Sequence, residues 1–373
     1  MQLTWLIVSA CILIGLLSLV YGRWALSGLT YTRYFSRNSA FEGDSVEMVE
    51  VITNAKWLPL PWLRLESSIQ TGLSFGNQTN LDISSGDIYQ NHISLFYLRP
   101  YRRIKRHHQV VCSRRGLFHL ESATLTTGDP LGFSAEAKTF PLDLELLVYP
   151  QILPLQELPL PNHSWIGDLA VRRWIVEDPF LTSGIREYRP GDTMGSINWK
   201  ATARTGALQV HKRDYTADHH LMICLNLEDS DTMWRNINDP ERIELGIRYA
   251  ATVAAQALRS GVETGLICNG HLLDGPRESI RIEPSSAADQ LELILTTLAR
   301  LVLDRTVSMS TLLESVVNEA SVDTDYLLIS CHQGEKLRLA ADQLRLQGNG
   351  IEWMEIPVLE DSQVAASTSA SAS

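Results

Sequence analysis

The chain opens on an unbroken apolar run. Residues 3–22, LTWLIVSACILIGLLSLVYG, carry no charge, and about 20 such residues is the length a helix needs to cross a bilayer core. A secretory signal peptide is the rival, but no basic region precedes the run, the run is long, and no A-x-A-like site follows it. The pattern predicts an uncleaved transmembrane anchor over 1–22. Arg23, Arg33 and Arg37 follow with no acid before Glu42. By the positive-inside tendency this makes a single-pass protein of the inner, cytoplasmic membrane with its bulk in the cytoplasm. Residues 23–39 read as a juxtamembrane connector, in which Trp24, Tyr31, Tyr34 and Phe35 suit the headgroup layer and a plain linker about equally.

Beyond the connector the pattern turns to short alternating segments. SVEMVEVITNA, HISLFYLRPYRR, HHQVVCS, GLFHLESATLTT and LELLVYP are rich in β-formers and separated by Gly, Asn, Asp and Pro, which predicts an antiparallel β-sandwich over 40–150. Residues 151–182 begin Pro-rich (PQILPLQELPLP) and continue irregularly, as an interdomain crossing would. From 183 to 359 buried-strand runs (HLMICLNLE, ETGLICNG, DYLLISC, GIEWMEIPV) alternate with helical periods. The helical segments are PERIELGIRYAATVAAQALRSG, SSAADQLELILTTLARLV with Ser N-cap candidates, and EKLRLAADQLRLQG. That rhythm predicts an α/β domain whose parallel sheet is covered by helices on both faces. The last residues, 360–373, are small and polar and read as a disordered tail.

Composition agrees with two folded domains and an anchor: 373 residues, 45% hydrophobic and 20% charged. A net charge of −11 excludes nucleic acid as the main partner, since phosphate binding needs a concentrated positive field. Cys11, Cys112, Cys224, Cys268 and Cys331 are scattered without a CxxC pair, so neither a disulfide framework nor a zinc site is indicated. Four of them sit in or beside strand-like runs, where a free Cys behaves as a small buried hydrophobe.

Ligands in open α/β sheets bind beyond the carboxyl ends of strands. There, after LMICL, stand Asn226, Glu228, Asp229, Ser230 and Asp231. Oxygen donors of this kind suit Mg²⁺ or Ca²⁺, and a solvated strand-to-helix loop explains them too. No GxSxG, HExxH, GxxxxGKS or strand-borne GxGxxG is present, so no cofactor and no catalytic constellation is expected. The enzymatic alternatives are a metal-dependent activity at the Asn226 to Asp231 loop and a hydrolase built on His211 and Asp214 with Ser196 or Thr202, and no spacing favours the hydrolase. The run RPYRRIKRHH, with Arg99, Arg102, Arg103, Lys105 and Arg106, could meet anionic lipid or an acidic partner, or could be a charged strand edge, with His107 and His108 at the surface.

The densest motif is REYRPGDTMGSINWKATARTG, Arg186 to Gly206. Arg189-Pro190-Gly191-Asp192 fits a tight turn, Ser196 can cap a helix starting at Ile197, and Gly206 can end it. Arg186, Arg189, Lys200 and Arg204 could pair with Glu187 and Asp192, or an Arg could stack on Trp199. A structural staple and an anion or partner site need the same parts.

Here the chain resembles the bacterial domain-of-unknown-function family numbered fifty-eight, whose signature runs approximately R-E-Y-x-x-G-D-x-x-x-x-I-x-W-x-x-x-A-R. Arg186, Glu187, Tyr188, Gly191, Asp192, Ile197, Trp199, Ala203 and Arg204 stand in that spacing, and Arg115-Gly116, DPLGF at Asp129 to Phe133 and VYP at Val148 to Pro150 extend the match. The resemblance implies a membrane-anchored β-sandwich followed by a von Willebrand factor A-like α/β domain, paired with a MoxR-type AAA+ ATPase and without an established reaction. Arg186, Glu187, Tyr188, Arg189, Gly191, Asp192, Trp199 and Arg204 would then form the partner-binding motif. Two features depart from the family. It often carries two spans where this chain shows one, and its D-x-S-x-S adhesion motif is replaced by Asn226, Glu228 and Ser230, leaving a degenerate metal site. The expected function is that of a membrane-anchored, non-catalytic interaction or adaptor protein in assembly or envelope-related processes.

Overall fold

A run that is apolar all round has no side to turn toward a core, and helix α1 (Gln2–Trp24) is such a run. The structure, a computed structural model, describes residues 2–75, 82–85, 89–159, 177–188, 197–215, 220–230, 237–319 and 324–358. Among them, α1 is the one helix long and apolar enough, by length and composition, to cross a membrane. Its final turns are not loose: Leu17, Val20 and Tyr21 join Ala25, Ile52, Leu63 and Leu125 in one apolar cluster. The Lys56 ammonium donates to the carbonyls of Ala25 and, at 2.7 Å, of Ser27. A cation on those carbonyls caps the helix's negative end.

The chain divides into two compact units, Met1–Gln151 with Leu298–Arg300, and Ile152–Thr297 with Leu301–Ser373. The first is built on two sheets. One has the order β1-β3-β8-β5, from β1 (Leu29–Phe35), β3 (Ser45–Asn54), β5 (Leu73–Phe75) and β8 (Arg103–Cys112). The other has the order β2-β10-β9-β4-β7-β6, from β2 (Ser39–Phe41), β4 (Leu60–Gln70), β6 (Asp82–Ser85), β7 (Tyr89–Leu98), β9 (Gly116–Gly128) and β10 (Ala135–Tyr149). Pairing is antiparallel except between β2 and β10. Met48 and Val110 of the first sheet pack with Ile69, Leu120 and Leu146 of the second. This is the interdigitation of two facing sheets.

The connector expected over 23–39 is corrected by β1, a full strand paired along its length with β3. LTYTRYF alternates buried and exposed positions throughout, with Tyr31 and Phe35 in the core and Tyr34 outside. Arg33 at an inward position hid the alternation, because a strand with a charge on its buried side does not read as one.

In the second unit β11 (Glu177–Glu187) pairs antiparallel with β12 (Gln209–Tyr215). It begins inside the stretch read as an interdomain crossing, where Pro179 breaks the pattern. A five-stranded sheet follows in the order β16-β14-β13-β18-β19, from β13 (His220–Leu225), β14 (Glu263–Cys268), β16 (Ile280–Ser285), β18 (Thr324–Ser330) and β19 (Ile351–Glu355). β13, β14, β18 and β19 are parallel. β16, which the sequence reading passed over, runs antiparallel on the edge. A two-stranded ribbon pairs β15 (His271–Leu272) with β17 (Leu301–Val302).

Helices cover both faces of this sheet. Met222, Cys224, Tyr326 and Leu328 pack against Leu313 and Val316 of α5 (Met309–Asn318) and Leu337 and Ala341 of α6 (Glu335–Leu346). The other face, carrying Leu225, meets α3 (Pro240–Arg259), where Gly246 leaves no room: a Cβ there would stand 3.6 Å from Leu225 Cδ1 and closer still to Ile356. α3 starts on Asp239, whose side chain accepts from Arg242 N, with Pro240 next. It ends at Arg259, and Gly261 takes φ +80°. α4 (Gln290–Arg300) has Asp289 at its N-cap position rather than one of the expected serines.

Candidate functional site

Numbered along the chain, the five strands lie in the order 3-2-1-4-5, so the connections leaving β13 and β18 diverge at the carboxyl ends where open sheets bind ligands. The expected residues are there, together with three that were missed, Asn269, Ser330 and Arg305. Asn226 Oδ1 accepts from Asn269 Nδ2 (2.9 Å) and Glu228 N (3.1 Å), and its Nδ2 donates to Ser330 Oγ (3.0 Å). Asn269 Oδ1 accepts from Leu227 N (2.9 Å), and Ser330 Oγ donates to His332 O (2.5 Å). Glu228 Oε1 is paired with Arg305 Nη1 at 2.7 Å. Ser230 Oγ donates to Asp229 Oδ1 (3.1 Å), whose other oxygen accepts from Asn238 N (2.6 Å).

A cation in this place needs converging oxygens with lone pairs to spare. Here Asn226 Oδ1, Glu228 Oε1 and both Asp229 carboxylate oxygens are turned on neighbouring donors, and among the described residues no group of three His, Cys, Asp or Glu side chains is arranged for a metal. Asp231 lies outside the described residues. The network ties three parallel strands together at their ends, a task to which buried Asn and Ser side chains suit themselves because each offers a donor and an acceptor.

The described residues of the motif form a small paired element. Arg186 and Glu187 end β11 opposite Val210 and Gln209 of β12, and Tyr188 N donates to Leu208 O (2.9 Å). Between the strands sits α2 (Trp199–Thr205). Its N-cap is Asn198, which accepts from Ala201 N at 3.0 Å, two residues later than the expected Ser196. The reason is Ile197, which is spent on a strand-like bridge to Val210. Thr202 Oγ1 accepts from Gln209 N (3.0 Å), and Gly206 closes the helix at φ +73°. Ile197 and Val210 are buried beneath, whereas Trp199 is 65% exposed and Arg204 is exposed in the last turn. Arg189, Gly191, Asp192 and Ser196 lie outside the described residues. His211 and Asp214 lie on β12, and their side chains fall outside what the structure describes.

A third cluster escaped the sequence altogether. Between the two sheets of the first unit, Glu50 Oε1 accepts from Arg33 Nη2 (2.5 Å) and Tyr31 Oη (3.1 Å), and Oε2 from His108 Nε2 (3.0 Å), with Arg106 Nη1 at 3.5 Å. Arg33 also reaches Tyr31 Oη (2.7 Å) and Ser67 Oγ (3.1 Å), and Arg106 reaches Ser94 Oγ (3.1 Å). Burial alone would raise the Glu50 carboxyl, but the His108 hydrogen bond and the charges of Arg33 and Arg106 bring it down to about 2. His92 beside them is pushed down to about 4 by burial and by Arg33. A cavity of about 10 Å³ lies among these side chains, about the room one water requires, and Arg33 Nη1 and His92 Nε2 have no protein partner among the described residues.

His108 was expected at the surface with His107; strand alternation separates them. His107 faces outward on Glu47 (2.7 Å), while His108 is fully interior. Arg106 likewise turns inward from the basic run. The signal was present in HHQVVCS, where His108, Val110 and Cys112 fall on one side.

Of the cysteines, Cys112, Cys224, Cys268 and Cys331 are buried and unbridged, and Cys11 is exposed on α1. Burial pushes the Cys112 thiol up to about 11 and that of Cys331 to about 12, which leaves both inert as nucleophiles at neutral pH.

Residues 184–305 match the model of the family described as "Protein of unknown function DUF58". A curated relative, "Uncharacterized protein YeaD" of Bacillus subtilis (strain 168), is 21% identical over 256 residues, covering 69% of this chain and 58% of that protein. The chain thus spans less than two thirds of that relative. Among solved structures, a cohesin module from Clostridium perfringens covers 31% of this chain and 97% of its own at 9% identity and TM-score 0.19. The sporulation control protein Spo0M from Bacillus subtilis covers 44% and 58% at 9% identity and TM-score 0.19. Scores this low carry no argument about fold or function.

Proposed function

We propose that this chain, whose residues 184–305 carry a DUF58 domain, is a membrane-anchored, non-catalytic interaction protein. α1 is its anchor, the sandwich stands next to the bilayer, and the von Willebrand A-like α/β domain, on the cytoplasmic side, engages a partner. A MoxR-type AAA+ ATPase is the partner to which the family resemblance points.

One observation carries the reading. At the strand ends, where an α/β enzyme would keep reactive groups open to substrate, Asn226, Asn269 and Ser330 are bonded to one another and Glu228 is paired with Arg305. The exposed chemistry lies instead on the motif helix, which presents Trp199 and Arg204 to solvent. Trp and Arg are the residue types that dominate protein interfaces.

Copurification tests this directly. The tagged full chain is extracted from membranes in ATP, in ADP and without nucleotide. Recovery of an AAA+ ATPase that depends on nucleotide, and that is lost in Trp199→Ala/Arg204→Ala while α3 and β13 keep their hydrogen-exchange protection, supports the reading. Recovery of no ATPase in any state removes the named partner.

A further inference from the structure

Four loops gather at one end of the sandwich, the end at which α1 enters. Leu29 opens β1 opposite Asn54 at the close of β3, and Thr53 pairs with Arg103 at the start of β8. Leu60 at the start of β4 pairs with Leu98 at the end of β7. Leu63 stands opposite Thr127, and Gly128 opposite Ala135 across the turn between β9 and β10. The connections 25–28, 55–59, 99–102 and 129–134 therefore surround the foot of the helix.

These loops hold apolar side chains out. Trp57 is 59% exposed, Tyr101 69%, Leu131 57% and Phe133 72%. Tyr101 is the one non-glycine among the described residues with a left-handed φ, +51°, a conformation its Cβ disfavours. In DPLGFS the buried Asp129 carboxylate accepts from Leu131 N (3.1 Å) and from Ser134 N (2.5 Å) and Oγ (3.0 Å), and Trp62 Nε1 donates to the Asp129 carbonyl (3.0 Å). That turn is fixed, and its tip consists of Leu131 and Phe133. Arg23, Arg99 and Arg102 are exposed around the same end, and the loops' acid, Asp129, is turned inward. Aromatic tips among arginines are the composition of a membrane interface.

The length of α1 supplies the second argument. Leu3 to Leu16 stand clear of the core cluster, about 21 Å at 1.5 Å per residue, whereas a bilayer core is roughly 30 Å thick. The missing length is Leu17 to Tyr21, which is packed on the sandwich. A spanning helix must bring that packed section to membrane depth, and the loops beside it come with it.

We infer that this end of the sandwich is a bilayer-contact surface: Trp57, Tyr101, Leu131 and Phe133 enter the headgroup layer, and Arg99 and Arg102 engage the phosphates of anionic lipids. The inference rests on the reading of α1 as a span.

The test uses the full chain in nanodiscs of phosphatidylcholine, alone or with phosphatidylglycerol, and lipids that carry a quencher at the headgroup, in the upper acyl chain or at the acyl-chain end. A fluorophore is placed at Phe133→Cys, with Leu131→Cys as a second reporter and Ser113→Cys, at the opposite end, as the control, each in a Cys11→Ser background. Native Cys11, labelled separately, reports the span. Quenching at 133 and 131 but not at 113 is expected. With the quencher carried by phosphatidylglycerol, Arg99→Gln/Arg102→Gln should lower quenching at 133 and 131 by reducing the enrichment of anionic lipid beside the loops, about fivefold per positive charge, and should leave quenching by labelled phosphatidylcholine unchanged. Cys11 quenched with 133 and 131 no more quenched than 113 overturns the surface and leaves the anchor standing; Cys11 unquenched overturns both. Quenching at 133 indifferent to the anionic lipid and to the arginine pair overturns their assignment to lipid phosphate.

Discussion

Glu50→Gln removes the one carboxylate that faces Arg33, Arg106 and His108 between the sheets, and it does so at nearly constant volume. Gln can keep some of the hydrogen bonds but none of the charge. Arg33 is interior, with its side chain 2% exposed, so bulk solvent cannot take the place of the lost anion. Breaking a buried pair from one side costs about 3–5 kcal/mol, and the depression of the Glu50 carboxyl by His108, Arg33 and Arg106 points the same way. Cys112 offers a local readout, since it is the buried thiol of this unit, at the end of β8. Thiol labelling of the native full chain, resolved by peptide mass spectrometry, should show Cys112 modified about 100- to 4,000-fold faster in Glu50→Gln, while Cys224 and Cys268 in the other unit keep their protection. Arg33→Met/Glu50→Leu, which removes both charges, should recover part of the loss. A change at Cys112 below about tenfold in Glu50→Gln would sink the argument that this ion pair is a structural keystone of the sandwich.

The same cluster makes the sandwich acid-sensitive. Both His92 and Glu50 have folded pKa values below their unfolded ones, so the unfolded chain binds more protons and stability is lost as pH falls, from about 6.5 through 4 for His92 and from about 4.5 through 2 for Glu50; Cys112 protection that stays flat from pH 7 to 4 contradicts this. Gly265→Ala would put a Cβ 2.5 Å from the Ile282 carbonyl and 2.8 Å from Pro284 N, backbone that cannot step aside, and should lower thermal stability of the second unit by about 1–3 kcal/mol; an unchanged melting curve counts against the register of β14 and β16. Asn226→Asp/Glu228→Ser, which restores the spacing of a D-x-S-x-S motif and releases Arg305, should bind Mg²⁺ in calorimetry more tightly than the natural chain, and equal affinity in the two would show that the strand-end bonds do not hold those oxygens back.

What could be read from the sequence was whatever periodicity alone decides. The buried runs at His220–Leu225 and Thr324–Ser330 are apolar on both sides and so announce parallel strands. The turn into α3 and the stop at Gly206 are written in single residues with known backbone preferences. Other parts were hidden because their logic is pairwise. Arg33 looks like a topogenic charge until Glu50 is placed opposite it, and Asn269 and Ser330 look like ordinary loop residues until the sheet brings them to Asn226. Ser196 was a reasonable cap on local grounds, but the bridge from Ile197 to Val210 delays the helix, a long-range contact overriding a local signal.

The junction of α1 with the sandwich has a mechanical meaning. With Tyr21 and Ala25 in the core and Lys56 fastened to the helix end, the chain has no hinge there, so the sandwich cannot swivel as a domain on a flexible tether would. In the proposed membrane-anchored arrangement its orientation would follow the tilt of the helix, and a pull on the sandwich would arrive in the bilayer as a bending moment on α1. A partner of the ATP-driven kind proposed above would then have a lever to work on rather than a leash.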